Sequence, residues 1–324
     1  MTALPPSSPM MPQMRDWYWR GWQVSYCTLS PDRPPESGSP LYPPLICLHG
    51  FGASSYHWRQ NLPVWGQYTT VYALDLLGFG ASQKAAAPYS PVFWGEMVQD
   101  FWRTFVGEPV VLVGNSLGSV VAMTVAVQAP AMVRGLVWVN LPDNSVLLPD
   151  LPVMVTKLMR GLQRWGRPLG QAMQLALTGP WLINPLLALV RSPRILYPAL
   201  ASAYGETAVV DEGLQQMVSA PARDRHAAQA LRFISRGMAQ VPPPYRAKQV
   251  LPQLQVPLLL LWGQADRLVP PLLAARCGAL NPRLQLIMVD GAGHCLQDEC
   301  PDRVNTWVLD WLQTVVMGSS WVST

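Results

Sequence analysis

Ser116 lies between two glycines, at the point where an apolar run gives way to a stretch of small residues. The segment at 110–123 reads VVLVGNSLGSVVAM. Its first half is typical of a buried strand and its second half of a helix, which places the serine at a strand-to-helix turn. Such a turn presents the hydroxyl beside a helix N-terminus, whose backbone N–H groups can stabilise an oxyanion. The segment therefore predicts nucleophilic attack by Ser116 on a carbonyl carbon.

A serine hydroxyl becomes an effective nucleophile only beside a general base. Of the four histidines, His294 is the best candidate, because it follows the apolar run LQLIMVD in the loop GAGHC. The base in turn needs a carboxylate that fixes its tautomer and stabilises its charged form. Asp266 follows the apolar run PLLLLWG and is the predicted acid, and Asp143, in NLPDN, is the alternative.

Six continuous apolar runs alternate with helix-like segments along the chain. Strands buried on both faces show this composition, because helices cover both sides of a parallel sheet. The alternation predicts an α/β fold built on a doubly wound, mostly parallel sheet. The predicted strands lie at 45–50, 71–78, 110–115, 136–140, 257–263 and 284–291. A preceding segment, WRGWQVSYCTL, alternates apolar and polar residues and predicts one exposed antiparallel strand.

Ser116, Asp266 and His294 each follow one of these predicted strands. Because the carboxyl ends of parallel strands meet at one edge of a sheet, we expect the three side chains to lie close together. Their order along the chain is serine, acid, histidine. This is the order of the hydrolase fold, and it differs from that of trypsin-like and subtilisin-like enzymes.

The alternation of strands and helices stops after Asn140. Residues 148–238 are rich in Leu, Met, Pro and Arg and predict a helical cap inserted over the strand ends. The core of the fold is then residues 17–147 and 239–324, and the Pro-, Ser- and Met-rich residues 1–16 are predicted to form a flexible tail. The cap holds ten basic and five acidic residues, so the positive charge of the chain is concentrated there.

One segment of the predicted cap, VMVTKLMRGLQRWGR, is amphipathic. Its apolar face carries Met154, Leu158 and Trp165, which we predict to bind substrate, since flexible Met and broad Trp surfaces suit a bulky hydrocarbon. The opposite face is basic and would allow peripheral contact with an anionic membrane. The basic residues are Lys157, Arg160, Arg164 and Arg167.

Composition narrows the class of function. Hydrophobic residues make up 50% of the chain and charged residues 13%, so the chain has enough apolar side chains to form a large buried core. A net charge of +4 is too mild to predict nucleic-acid binding. The five cysteines have neither disulfide nor metal-ligand spacing, and no apolar run reaches the length of a membrane span. We therefore expect a cytoplasmic protein with reduced thiols that uses no metal and no cofactor.

Four motifs together resemble the α/β-hydrolases over residues 17–315: HGFGASSYHW, DLLGFGAS, GNSLG and GAGHCLQDECPDRVN. The resemblance implies an α/β-hydrolase fold with an oxyanion hole formed by the backbone N–H groups of Phe51 and Leu117. His57 and Trp58 are predicted to line the mouth of the pocket. More narrowly, HGFGAS with GNSLG and DLLGFG is similar to the pheophytinase and chlorophyll-dephytylase relatives of oxygenic phototrophs.

The motifs and the resemblance predict a serine hydrolase that cleaves a carboxylic ester through an acyl-enzyme. The predicted substrate is a bulky lipophilic ester, with the phytyl ester of a chlorophyll derivative as the specific form that the resemblance implies. Serine in place of aspartate at the turn argues against haloalkane dehalogenases and epoxide hydrolases, whose alkyl-enzyme chemistry requires a carboxylate. A hydrolase of carbon–carbon bonds and a non-catalytic binding module on the same fold are the alternatives.

Overall fold

The computed structural model describes residues 12–31, 42–147, 179–205, 210–238 and 242–313. Within them, strands form a sheet at the centre of the molecule: β1 (Gln13–Trp19), β2 (Trp22–Leu29), β3 (Leu45–Leu48), β4 (Val71–Leu74), β5 (Val110–Asn115), β6 (Val133–Val139), β7 (Leu258–Gly263) and β8 (Leu284–Val289). Their order across the sheet is β1-β2-β4-β3-β5-β6-β7-β8. The pairs β1–β2 and β2–β4 are antiparallel, and every later pair is parallel. The predicted mostly parallel sheet is confirmed.

The central strands are almost entirely apolar because both faces of the sheet are covered. In β3, the side chains of Leu45 and Cys47 enter one hydrophobic core, and those of Ile46 and Leu48 enter the other. All four side chains are fully buried. Successive side chains of a strand point to opposite faces, so a strand between two cores shows no polar alternation.

The N-terminal hairpin differs from its prediction. Arg20 and Gly21 have φ angles of 51° and 85°, as a tight hairpin turn of the type that matches strand twist requires, and they divide the segment into β1 and β2. The prediction of one strand over WRGWQVSYCTL is therefore wrong, because the Arg-Gly pair is a turn. β1 begins at Gln13, so the predicted tail, residues 1–16, extends too far.

Helices cover both faces of the sheet and continue into the insertion after β6. They are α1 (Leu62–Trp65), α2 (Pro91–Phe105), α3 (Leu117–Gln128), α4 (Pro180–Val190), α5 (Pro193–Ala203), α6 (Glu212–Ser219), α7 (Ala227–Met238), α8 (Ala247–Val250), α9 (Leu272–Gly278), α10 (Leu296–Glu299) and α11 (Pro301–Trp311). Buried side chains of α2, α3 and α9 belong to one core, and those of α1 and α11 belong to the other. The sheet is thus doubly wound.

Helices α4 to α7 lie within the predicted cap, between β6 and β7. Residues 148–178 lie outside the described residues, and with them Met154, Leu158, Trp165 and the basic face of their segment. Among the residues that the structure describes, none of the helices has the length and apolar character needed to cross a membrane.

Candidate active site

Ser116 occupies a sharp turn between β5 and α3. Its backbone has φ 51° and ψ −116°, a region that non-glycine residues rarely adopt. The flanking glycines are required by space: a Cβ on Gly114 would collide with the backbone of Gly118, and a Cβ on Gly118 would collide with the carbonyl of Leu48. Ser119 Oγ donates a hydrogen bond of 2.7 Å to the carbonyl of Gly114 and closes the turn. This geometry is that of a nucleophile elbow.

His294 and Asp266 form a hydrogen-bonded pair. His294 Nδ1 lies 2.7 Å from Asp266 Oδ2, and both residues are buried. The other carboxylate oxygen of Asp266 accepts hydrogen bonds from the N–H groups of Leu268, at 2.8 Å, and Val269, at 2.9 Å. With its Nδ1–H donated to Asp266, the neutral imidazole keeps Nε2 as a proton acceptor, which is the arrangement that a general base requires.

Asp143 lies elsewhere and has different partners. Its Oδ1 accepts a hydrogen bond of 2.8 Å from the N–H of Ser145, and its Oδ2 accepts one of 2.6 Å from the N–H of Ala247, the first residue of α8. Both oxygens thus bond to backbone groups at the junction of the insertion and the core. The structure pairs His294 with Asp266 and not with this alternative.

Two asparagines fix the loop that carries His294. Asn115 Nδ2 donates to the carbonyl of His294 at 3.1 Å, and Asn140 Nδ2 donates to the carbonyl of Gly293 at 3.0 Å. Asn140 Oδ1 also accepts from the N–H of Gly263, at the end of β7, at 3.1 Å. Neither role was predicted. The sequence offered one signal for them: each asparagine directly ends or follows an apolar run, at the edge where the candidate residues meet.

The turn after β3 lies against the nucleophile. A Cβ on Gly50 would be 3.4 Å from the Cβ of Ser116 and 2.8 Å from Asn115 Oδ1. His49 holds this turn: its Nδ1 bonds to the carbonyl of Gly50 at 2.7 Å, and its Nε2 accepts from the N–H of Leu76 at 3.0 Å. Burial lowers the pKa of His49, so this imidazole stays neutral and serves structure.

Ser116 and His294 line one cavity of about 440 Å³ between the sheet edge and the insertion. The insertion supplies much of its apolar wall: Leu187, Val190, Leu200, Leu214, Met217, Val218, Leu231 and Ile234. Phe51 and Leu268 also line it and are 54% and 56% exposed, so they mark its opening. Leu117 is buried at the start of α3.

His57 and Trp58, both predicted to line the pocket mouth, lie in different places in the structure. His57 lines the cavity, but it is buried, and its Nε2 bonds to the Tyr204 hydroxyl at 3.1 Å. Burial, with the nearby Arg59 guanidinium, lowers the pKa of His57 to about 3. Trp58 is fully buried in the core below the sheet, with its ring 6.0 Å from that of Trp65. Its prediction as a substrate-binding residue is wrong, because the 3₁₀ turn at Ser55–Trp58 directs the indole away from the cavity.

Lys84 is a charged wall residue that was not predicted. Its ammonium donates to the carbonyls of Phe79 at 3.3 Å, Gly80 at 2.5 Å and Ser82 at 2.6 Å. Burial lowers its pKa from the ordinary lysine value. Since three backbone carbonyls take its three protons, this side chain fixes the loop after β4 beside the cavity.

Candidate metal ligands do not cluster in the part of the chain that the structure describes, where no group of three or more His, Cys, Asp or Glu side chains could hold an ion. The five cysteines are free thiols, and four of them are buried. Burial raises the pKa of the Cys295 thiol, which lies beside His294 and lines the same cavity.

Comparison with known proteins agrees with this geometry. Residues 45–307 match the alpha/beta hydrolase family. An uncharacterized hydrolase of Bacillus subtilis, YugF, is 24% identical over 276 residues, which are 83% of this chain and 89% of YugF. A chloroplastic pheophytinase of Arabidopsis thaliana is 26% identical over 310 residues, which are 85% of this chain and 62% of that protein.

Solved structures show the same fold. The carboxylesterase CesB of Bacillus subtilis superposes with a TM-score of 0.70 at 22% identity, over 96% of this chain and 93% of CesB. The haloalkane dehalogenase DbeA of Bradyrhizobium elkani superposes with a TM-score of 0.70 at 19% identity, over 95% of this chain and all of DbeA (100%). Likeness at these identities extends to the fold alone. On the family match and the fold, the chain belongs to the alpha/beta hydrolase family.

Proposed function

We propose that this hydrolase cleaves a carboxylic ester through an acyl-enzyme formed on Ser116. The observation that carries the proposal is the pairing of His294 with Asp266 at 2.7 Å on the wall of the cavity that Ser116 also lines. A buried carboxylate makes the imidazole a better base and stabilises the imidazolium that forms in the transition state. A largely apolar cavity strengthens that electrostatic effect, because it excludes water.

The proposed reaction has two stages, formation of the acyl-enzyme and its hydrolysis. Ser116 Oγ attacks the ester carbonyl carbon, and its proton passes to His294 Nε2. The oxyanion is held by the N–H groups of Phe51 and Leu117; the latter opens α3, where the first N–H groups have no partner within the helix. Serine attack gives a tetrahedral intermediate, and its collapse expels the alcohol, which takes the proton from His294. Water, deprotonated by the same imidazole, then releases the acid and restores Ser116.

The cavity wall supports a long-chain, lipophilic ester as substrate. If one methylene needs roughly the 30 Å³ that one water occupies, 440 Å³ holds a chain of about 15 carbons. Each buried methylene contributes about 0.8 kcal/mol, so affinity should rise with chain length until the cavity is filled. The phytyl ester of a chlorophyll derivative is the specific substrate that we propose, on the similarity to a pheophytinase. The cavity would hold most of its alkyl chain, with the remainder and the macrocycle at the opening marked by Phe51 and Leu268.

Labelling and substrate profiling test this proposal. A fluorophosphonate probe should label the wild-type protein and fail to label Ser116→Ala, with Ser202→Ala, an exposed serine of α5, as the matched control. Among acetate, octanoate and palmitate esters of one alcohol, kcat/KM should rise with chain length. Phytol release from pheophytin is then measured directly. Absence of labelling would refute the acyl-enzyme, and a preference for acetate would refute the lipophilic substrate.

A further inference from the structure

The insertion touches the catalytic histidine loop directly. We name Ala203–Gly205, at the end of α5, the cap strut, and Gly291–Cys295 the histidine loop. The N–H of His294 donates to the carbonyl of Ala203 at 2.9 Å. A Cβ on Gly293 would lie 2.6 Å from the N of Gly205, and a Cβ on Gly205 would collide with the carbonyl of Gly291. The two backbones are therefore in contact, with no space for a side chain between them.

Glu299, the last residue of α10, joins the same two segments. Its Oε2 accepts hydrogen bonds from the N–H groups of Gly293 and Gly205, both at 2.7 Å, and its Oε1 accepts from the N–H of Cys295, also at 2.7 Å. The carboxylate thus holds the peptide groups on both sides of His294. It binds the cap strut with the same oxygen that binds Gly293.

Tyr204 ties the cap strut to the core at a second point. Its hydroxyl donates to Asp298 Oδ2 at 2.9 Å and lies 3.1 Å from His57 Nε2. Asp298 Oδ1 pairs with Arg59 at 2.6 Å. The side chains of Tyr204, Asp298 and His57 are all buried, so these bonds are shielded from water and are costly to break.

We propose that the cap strut and Glu299 position His294 for catalysis, so that the insertion forms part of the catalytic site as well as the substrate wall. The inference rests on the proposed function. His294 must keep Nδ1 on Asp266 while Nε2 reaches Ser116, and misplacement of a reacting group by about 1 Å can cost roughly 100-fold in rate. Asn115, at the end of β5, and Asn140, directly after β6, hold carbonyls of the histidine loop. Its N–H groups at 293–295 are held by Glu299 and by the cap strut.

Two substitutions test the proposal, one in the Glu299 carboxylate and one in the cap strut. Glu299→Gln keeps the shape of the side chain but turns one acceptor into a donor, which faces a backbone N–H. Gly205→Ala keeps every carboxylate and forces the cap strut away from Gly291. We expect either change to lower kcat roughly 10- to 100-fold and to leave KM within about twofold.

Matched controls exist for both substitutions. Asp302→Asn alters an exposed carboxylate three residues beyond Glu299. Gly213→Ala adds the same methyl group elsewhere in the insertion, where its nearest neighbours are the hydroxyl and ring atoms of the exposed Tyr56 side chain, which can move. Both controls should keep wild-type kcat.

The decisive measurement is of the hydrogen bond between His294 and Asp266. The proton shared by His294 Nδ1 and Asp266 should give a far-downfield ¹H NMR signal in the wild type, identified by its loss in Asp266→Asn. In Glu299→Gln and Gly205→Ala this signal should shift or broaden while the melting temperature stays near that of the controls.

Two results would overturn the positioning role. One is a kcat within twofold of wild type in both variants; the other is a kcat loss that merely tracks the fraction of unfolded protein. Failure of the proposed function is a separate outcome, because it appears as absent fluorophosphonate labelling of the wild type, whereas the NMR signal reports on the histidine loop without any substrate.

Discussion

The sheet edge and the insertion contribute to the site in different ways. At the sheet edge, the reacting side chains are held by strand ends and by hydrogen bonds to backbone, as in the pair of His294 with Asp266 and the bond from Asn115 to His294. The insertion supplies mostly apolar wall, and among its described residues the cap strut is the part bonded to the histidine loop. On the proposed function, the type of reaction would reside in the core, and the choice of substrate in the helices laid over it.

The largest expected effect distinguishes Asp266, the predicted acid, from Asp143, the alternative. Asp266→Asn should lower kcat by roughly four orders of magnitude, because an amide favours the wrong imidazole tautomer. Asp143→Asn should keep kcat and lower the free energy of unfolding by about 1 kcal/mol, since one backbone N–H loses its acceptor. Steady-state kinetics and denaturant unfolding of both variants measure the contrast. Greater loss of kcat in Asp143→Asn would refute the acid assignment.

A smaller effect on kcat/KM tests whether the insertion forms the wall that contacts the substrate. Met217 lines the cavity from α6, and Met217→Trp should fill part of it. We expect kcat/KM for a palmitate ester to fall about tenfold, equal to roughly two displaced methylenes, while the acetate ester is unaffected. Leu186→Trp, on the exposed side of α4, is the matched control and should change neither value. Equal losses for both esters would place Met217 outside the substrate wall.

The last expected effect is on stability, at the junction of the two regions. Burial holds the pKa of His57 at about 3, below the ordinary value of about 6.5 in an unfolded chain. Below pH 6.5 the unfolded state binds a proton that the folded state does not. The free energy of unfolding therefore decreases as the pH is lowered from about 6.5 to 3.

We therefore expect the melting temperature of the wild type to decline from pH 7 to pH 5, with a shallower decline in His57→Gln. The limiting slope for one such group is about 1.4 kcal/mol per pH unit. His226→Gln, an exposed histidine, should retain the wild-type slope. A parallel decline in His57→Gln and wild type would show that His57 does not contribute.

Local patterns account for what could be predicted. The apolar runs of β3 to β8 indicate buried parallel strands, and strand ends at one edge bring Ser116 towards the pair of His294 with Asp266 without knowledge of any contact. The positions that escaped prediction depend on partners distant in sequence. Glu299 binds Gly205 across 94 residues, and no local pattern marks that bond. The burial of Trp58 was not predicted, because nothing in the composition of its segment indicates the 3₁₀ turn that directs its indole into the core.

The positive φ of Ser116 has an evolutionary consequence. A non-glycine residue in so sparsely populated a region costs roughly 1–3 kcal/mol, a sizeable part of the 5–15 kcal/mol by which a typical domain is folded. Glycine at this position would fold more easily and react with nothing. Serine at this position therefore works against folding stability, and on the proposed function a lineage freed from selection for hydrolysis is expected to lose the serine before it loses the fold around it.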